Sequence, residues 1–270
     1  MIQVHKHGHC GPIVIVLHGG PAAVGSALSL AAGLEGRFRV LEPWQRGSGH
    51  GPLSVARHVA DLHEVIAAHC EATVPALVGE SWGAMLALAY AAEHPGSAGP
   101  LVLVGCGTFD PASRLRLQET LRERQDADLQ EALQRLERDI ADPARRLREQ
   151  YRLTRRLYDY DPIELPPDRR ATDPALDIEA HRQTWEDMLR LQSEGVFPAA
   201  FCAIQSPAVM LHGAYDPHPG RMTHDTLRRH IPHLEYREWA RCGHRPWAER
   251  HARDEFFEFV CDWLRPRPTQ

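Results

Sequence analysis

Val78-Gly79-Glu80-Ser81-Trp82-Gly83-Ala84-Met85-Leu86-Ala87-Leu88 is the stretch whose reading decides the fold. Pro75-Ala-Leu-Val78 reads as a short strand buried on both faces, and the Ala/Leu-rich run from Trp82 onward reads as a buried helix. Between them the chain has to reverse within a few residues. A serine at such a bend is held in a strained backbone conformation, and side chains two positions to either side would collide. Gly79 and Gly83 remove that collision, so the pattern fits a sharp strand-to-helix turn with Ser81 at its tip.

Outward from this turn, apolar runs at 12–17, 37–41, 100–104, 207–211 and 234–239 read as further strands. Helical patterns at 26–34, 54–70, 82–93, 223–230 and 250–264 fall between them. Strand alternating with helix calls for a mostly parallel sheet covered on both faces. With residues 2–6 as an edge strand the count is about seven. The rhythm breaks at 108–200, which lacks a β-like run and carries Leu115, Leu117, Leu121, Leu129, Leu133 and Leu136 at helical spacing. Pro143, Pro162, Pro166, Pro167 and Pro174 punctuate it. We read residues 1–107 and 201–270 as the core and 108–200 as an inserted helical cap; a separate helical domain or partner-binding bundle is the alternative.

Composition narrows the function classes. The chain has 270 residues, 43% of them apolar and 25% charged, with a net charge of -5, so no basic surface invites nucleic acid. Lys6 is the lone lysine among 31 basic residues, which makes the arginines a compositional habit rather than a set of phosphate clamps. Cys10, Cys70, Cys106, Cys202, Cys242 and Cys261 show neither zinc-knuckle nor disulfide-scaffold spacing. No leader or membrane segment is read, so the expectation is a cytoplasmic, soluble protein without a membrane partner.

The chemistry follows from Ser81. A serine hydroxyl needs a base to take its proton and N–H donors to receive the oxyanion that develops. His18-Gly19-Gly20-Pro21, at the end of an early strand, supplies the loop in which Gly20 serves as one donor, with Trp82 as the other. His18 itself is read as organising that loop. The acid and base are sought after late strands, in that chain order. Asp216, in His212-Gly213-Ala214-Tyr215-Asp216-Pro217, and His244, in Arg241-Cys242-Gly243-His244, occupy those places, so Asp216 would orient His244 and His244 would deprotonate Ser81. Asp110 is the runner-up acid. His230, His233 and His251 lie nearby in sequence but outside a strand-Gly-His loop.

Taken together, His18-Gly19-Gly20-Pro21, Gln45-Arg46-Gly47-Ser48-Gly49, Gly79-Glu80-Ser81-Trp82-Gly83 and Leu86-Ala87-Leu88-Ala89-Tyr90-Ala91 resemble the proline iminopeptidase branch of the α/β hydrolases. The likeness covers most of 12–106 and resumes at 207–264. It implies the α/β-hydrolase fold, with one strand fewer than the usual eight, and release of an N-terminal residue from a short peptide by Ser81, Asp216 and His244. No cofactor and no metal are implied. The family grips the substrate's ammonium with acidic cap residues, because a buried cation must be paired. Among Glu119, Glu123, Glu164, Glu179, Glu186 and Glu194, Glu186 is the candidate, since Trp185-Glu186 is similar to a family Trp-Glu. Two departures sit near the pocket: Ala22 and Ala23 follow Pro21, and Trp44 stands where the family has Asp.

An esterase, lactonase or thioesterase acting on a small acyl substrate is the alternative activity, and a catalytically silent binding protein the third. The first two differ in whether the pocket is anionic. His5, His7 and His9 alternate on one run and fit an edge strand, a metal site being the other reading. Cys242 reads as a packing residue rather than a reactive thiol. Oligomeric state stays open.

Overall fold

A computed structural model describes residues 2–49, 51–70, 73–164 and 177–265; Pro166, Pro167 and Pro174 lie outside them. Seven strands, β1 (Gln3–His7), β2 (Ile13–Leu17), β3 (Arg39–Trp44), β4 (Ala76–Glu80), β5 (Leu101–Val104), β6 (Ala208–Gly213) and β7 (Glu235–Trp239), form one sheet in the order β1-β3-β2-β4-β5-β6-β7. β1 runs antiparallel to β3, and every other neighbouring pair is parallel. The α/β expectation and the strand count hold.

β3 extends past the residue 41 expected from the sequence, through Pro43 to Trp44. Proline lacks an N–H and ordinarily stops an interior strand. Here the parallel ladder with β2 ends at Leu41, and Pro43 pairs only on the antiparallel side, opposite Val4.

Helices α1 (Leu28–Leu34) and α9 (Arg253–Trp263) cover one face of the sheet, and α2 (Val55–His69), α3 (Trp82–Glu93) and α8 (Gly220–Arg228) the other. Alternation along each strand sorts the two cores. Val14, Val16, Val78, Val102 and Val209 pack with Leu30, Leu34 and Phe256, while Ile15, Leu17, Leu77, Leu103 and Met210 pack with Leu62, Leu88 and Leu227. α3 is buried from Trp82 to Ala91, which explains why it is apolar all round.

Between β5 and β6, adjacent parallel strands, the chain leaves the sheet through α4 (Pro111–Glu123), α5 (Ala127–Asp139), α6 (Pro143–Thr154) and α7 (Ile178–Ser193). α7 is tied to the core loop that enters α2. Ser48 N donates to Asp177 Oδ2 at 2.7 Å, Leu53 N to Gln183 Oε1 at 2.7 Å and Val55 N to Asp187 Oδ2 at 2.8 Å.

β1 is an edge strand. On it His5 stacks on Trp44 and His7 is buried beside Glu42, Nε2 lying 3.6 Å from Oε2. All six cysteines are free. Among the described residues no helix is long and apolar enough to cross a membrane.

The strand order reverses across β2 and β4, the place where sheets of this kind leave a crevice at the strands' carboxyl ends. The His18 loop leaves one of these strands and Ser81 the other.

Candidate active site

Ser81 sits at φ 53, ψ -113, in the left-handed half of conformational space that side chains avoid. Its N–H is anchored to Val104 O at 2.8 Å. A Cβ at Gly79 would lie 2.3 Å from Gly83 O, and one at Gly83 would lie 2.2 Å from Leu17 O, so backbone crowding excludes larger residues at both. The turn has the geometry that its glycines require.

Asp216, in the loop after β6, is buried, and its Oδ2 lies 2.8 Å from His244 Nδ1. Its Oδ1 accepts from His218 N at 2.9 Å and lies 3.0 Å from His218 Nδ1, while His212 Nδ1 is 3.4 Å from Oδ2. Burial alone would raise the carboxyl pKa, but His244 and His218 outweigh it and hold Asp216 well below the usual carboxylate range. Burial likewise pulls His244 down; the charge and hydrogen bond of Asp216, joined by the charge of Glu80, more than reverse this and leave His244 above its ordinary 6.5.

The bond to Nδ1 leaves His244 Nε2 available. Ser81, His244, Gly20 and Trp82 line one cavity of about 670 Å³. The loop bearing His244 is fixed from the inserted segment: His244 N donates to Tyr158 O at 2.9 Å, and buried Glu249 accepts from Gly243 N at 2.9 Å and from Tyr160 N and Asp161 N, each at 2.7 Å.

His18 is buried, Nδ1 lying 2.9 Å from Gly19 O and Nε2 accepting from Gln45 N at 3.1 Å. Burial lowers its pKa to about 4, so the ring is neutral and serves as a strut. Gln45 completes the strut, donating to His18 O at 3.0 Å and accepting from Trp82 Nε1 at 2.7 Å.

Glu80, one residue before Ser81, also lines the cavity and accepts from Ser26 Oγ at 3.2 Å. Its burial raises its pKa against the opposing charges of His244 and Arg245.

Several residues singled out from the sequence lie elsewhere. Asp110 caps α4, accepting from Ser113 N at 2.8 Å, Ser113 Oγ at 2.7 Å and Thr226 Oγ1 at 2.9 Å, which commits its carboxylate. Glu186, expected at the substrate, lies on the solvent face of α7 with 60% of its side chain exposed, paired with Arg182 at 2.6 Å. Helical spacing sends Trp185 into the cavity and its neighbour out. Glu179 and Glu194 are likewise exposed ion-pair partners, of Arg182 and Arg190. Cys242 is buried against Gly243 O at 3.3 Å, and desolvation drives its thiol pKa up, as befits a packing residue.

Two features escaped the sequence. His218 stacks on His244 with ring centroids 4.8 Å apart, although no motif marks it. Gly105, at φ 55 just after β5, leaves the space in which the His244 ring sits: a Cβ there would lie 2.8 Å from His244 Nδ1. Val104-Gly105-Cys106-Gly107 after a strand was the available signal.

Among the described residues, Asp216, His218 and His244 form the group whose donor atoms come within the reach of one metal ion. Both imidazole Nδ1 atoms already bond the carboxylate, which accounts for the cluster without an ion.

A family model described as the alpha/beta hydrolase fold matches residues 12–247. Among solved structures the chain is similar to VinJ, with 24% identity over 97% of this chain and 93% of that one at a TM-score of 0.70. It is also similar to the enol-lactonase from Burkholderia xenovorans LB400, with 19% identity, coverage of 98% and 96% and a TM-score of 0.61. A thermophilic esterase from Thermogutta terrifontis gives 18% identity, coverage of 98% and 93% and a TM-score of 0.63. No curated protein matches the chain. At these identities the structural likenesses show the fold.

Proposed function

We propose that this chain, which belongs to the alpha/beta hydrolase fold family, is a serine hydrolase that cleaves small carboxylic esters, lactones or thioesters through an acyl-enzyme on Ser81. The observation that carries the reading is the 2.8 Å bond from Asp216 to His244 beside a cavity that also exposes the strained Ser81.

Ser81 Oγ attacks the acyl carbonyl while its proton passes to His244 Nε2. Asp216 holds the ring and stabilises the imidazolium, with Glu80 contributing charge of the same sign. The N–H groups of Gly20 and of Trp82, the latter in the first turn of α3 where amides lack helical partners, receive the oxyanion. The intermediate collapses, breaking the acyl bond, and His244 gives its proton to the departing alcohol or thiol. Water, deprotonated by the same imidazole, then releases the acid and regenerates Ser81. The inserted helices act as a cap that encloses the substrate.

A second reading, release of an N-terminal residue in the manner of proline iminopeptidases, draws support from Glu80, a buried carboxylate beside the nucleophile. Against it, none of Glu119, Glu123, Glu164, Glu179, Glu186 and Glu194 lines the cavity, and Asp159, the acidic residue of the inserted segment that does so among the described residues, is taken by Arg155 and Arg245, whereas Arg114, Arg152 and Arg155 line it.

The experiment is a comparison of short-chain nitrophenyl esters with proline arylamides. Turnover of the esters supports the reading, and turnover confined to arylamides replaces it with the second. Fluorophosphonate labelling of Ser81 is expected; folded protein that resists labelling would be a binding protein.

A further inference from the structure

The cavity that Ser81 lines also carries four arginines. Arg114 on α4, Arg152 on α6, Arg155 just after it and Arg245 beside His244 line it, against Glu80 and Asp159 as the lining carboxylates. Three of the four guanidinium groups have carboxylate partners. Buried Asp159 takes Arg245 at 2.7 and 3.3 Å and Arg155 at 2.9 Å, while Arg152 reaches out to Glu149 at 2.7 Å.

Arg114 differs. Among the described residues its side chain forms no salt bridge, and its hydrogen-bond partner is an amide. Its Nη2 bonds the neutral amide oxygen of Gln192, whose own nitrogen donates to Thr108 O at 3.1 Å. Its Nε is buried without a hydrogen-bond partner. Burial pulls its pKa below the ordinary arginine value, with the charge of Asp110 opposing. Met85, Leu117 and Thr108 line the same cavity, and none of them can neutralise a cation. A partly buried guanidinium that no carboxylate bonds directly is costly, and its planar fork matches a carboxylate through two parallel hydrogen bonds.

We propose that the substrate carries a carboxylate, on either the acyl or the leaving-group side of the scissile bond, and that Arg114 receives it. The inference rests on the ester-cleaving reading above and narrows it to anionic esters.

The test uses two matched pairs with the full chain. Mono-p-nitrophenyl glutarate against its methyl ester places the charge on the acyl side; 4-(butyryloxy)benzoate against its methyl ester places it on the leaving group. In one pair the anion should be preferred in kcat/KM by at least about tenfold, and Arg114→Gln should lower that anion-to-neutral ratio by about 10- to 100-fold, the range for a hydrogen bond to a charged group. Arg114→Lys should restore part of the ratio. No preference in either pair, or a ratio that Arg114→Gln leaves unchanged, overturns the inference while leaving ester cleavage standing. If no ester is turned over, the reading beneath it fails separately, and protection of Ser81 from fluorophosphonate by glutarate decides: protection lost in Arg114→Gln supports the anion site, and none in the wild type overturns it.

Discussion

Two surfaces meet across the cavity, and they are built on opposite terms. On the strand-end side, Asp216, His244, His18 and Gln45 are buried and held by hydrogen bonds from loops that the sheet fixes. On the other side, the inserted helices contribute long side chains from weakly buried elements. Ser113 is the buried residue of α4 and Leu129 that of α5, whereas α7 buries Ala180, Thr184 and Met188 and is tied to the core. Reaction chemistry tolerates little displacement, since misplacement of about 1 Å can cost about 100-fold in rate. Selectivity depends on which charges and shapes face the substrate, and these can change without disturbing the sheet.

The hardest way to break this division is Ser81→Ala. If Ser81 is the nucleophile, as proposed, the substitution should lower kcat by about 10⁶ on every substrate. A loss under about tenfold in a steady-state assay would place the nucleophile elsewhere. Asp216→Asn comes next. It preserves shape but favours the wrong imidazole tautomer, and should lower kcat by about 10⁴. Since Asp216 also bonds His218, the variant should leave thermal stability lower as well, measurable by circular dichroism. An effect on kcat under about tenfold would return the acid role to another residue.

The same division explains what could be read in advance. The turn at Gly79-Glu80-Ser81-Trp82-Gly83 was legible because a strained bend leaves few residue choices, and the pairing of Asp216 with His244 was legible because each lies in a short loop at a strand end. Glu186 was misread because helical spacing gives neighbours but not which face meets the cavity, and a quarter turn separates it from Trp185. The arginine wall went unread for a related reason: in a chain whose cations are nearly all arginine, no single one stands out. Gly105 and His218 became meaningful only when folding brought them beside His244.

A smaller effect concerns the base. His244 stands above its ordinary 6.5, so it remains protonated, and unable to act as the proposed base, to a higher pH than a free imidazole. Activity should therefore fall as the pH drops through a midpoint above 6.5 in kcat/KM. Because Glu80 adds to the upward shift, Glu80→Gln should move that midpoint down. A midpoint that stays fixed would mean that Glu80 is neutral or remote where it counts.

The smallest effect tests the inserted side alone, using two helix caps that differ in one respect. Asp142 caps α6, accepting from Arg145 N at 2.6 Å. Asp177 caps α7, accepting from Ala180 N at 2.9 Å, and its other oxygen also holds Ser48 N of the core at 2.7 Å. Loss of a cap costs about 1 kcal/mol in either case. Only Asp177→Ala also severs a tie to the loop that enters α2, adding about 1 kcal/mol for that hydrogen bond. For a chain of this size, Asp177→Ala should lower the Tm by about 4 °C and Asp142→Ala by about 2 °C or less, since fraying of a weakly buried helix need not unfold the sheet. Equal shifts in the two melts would mean that α6 is as firmly coupled to the core as α7, and that the wall opposite Ser81 is one rigid unit rather than a fixed helix carrying looser ones.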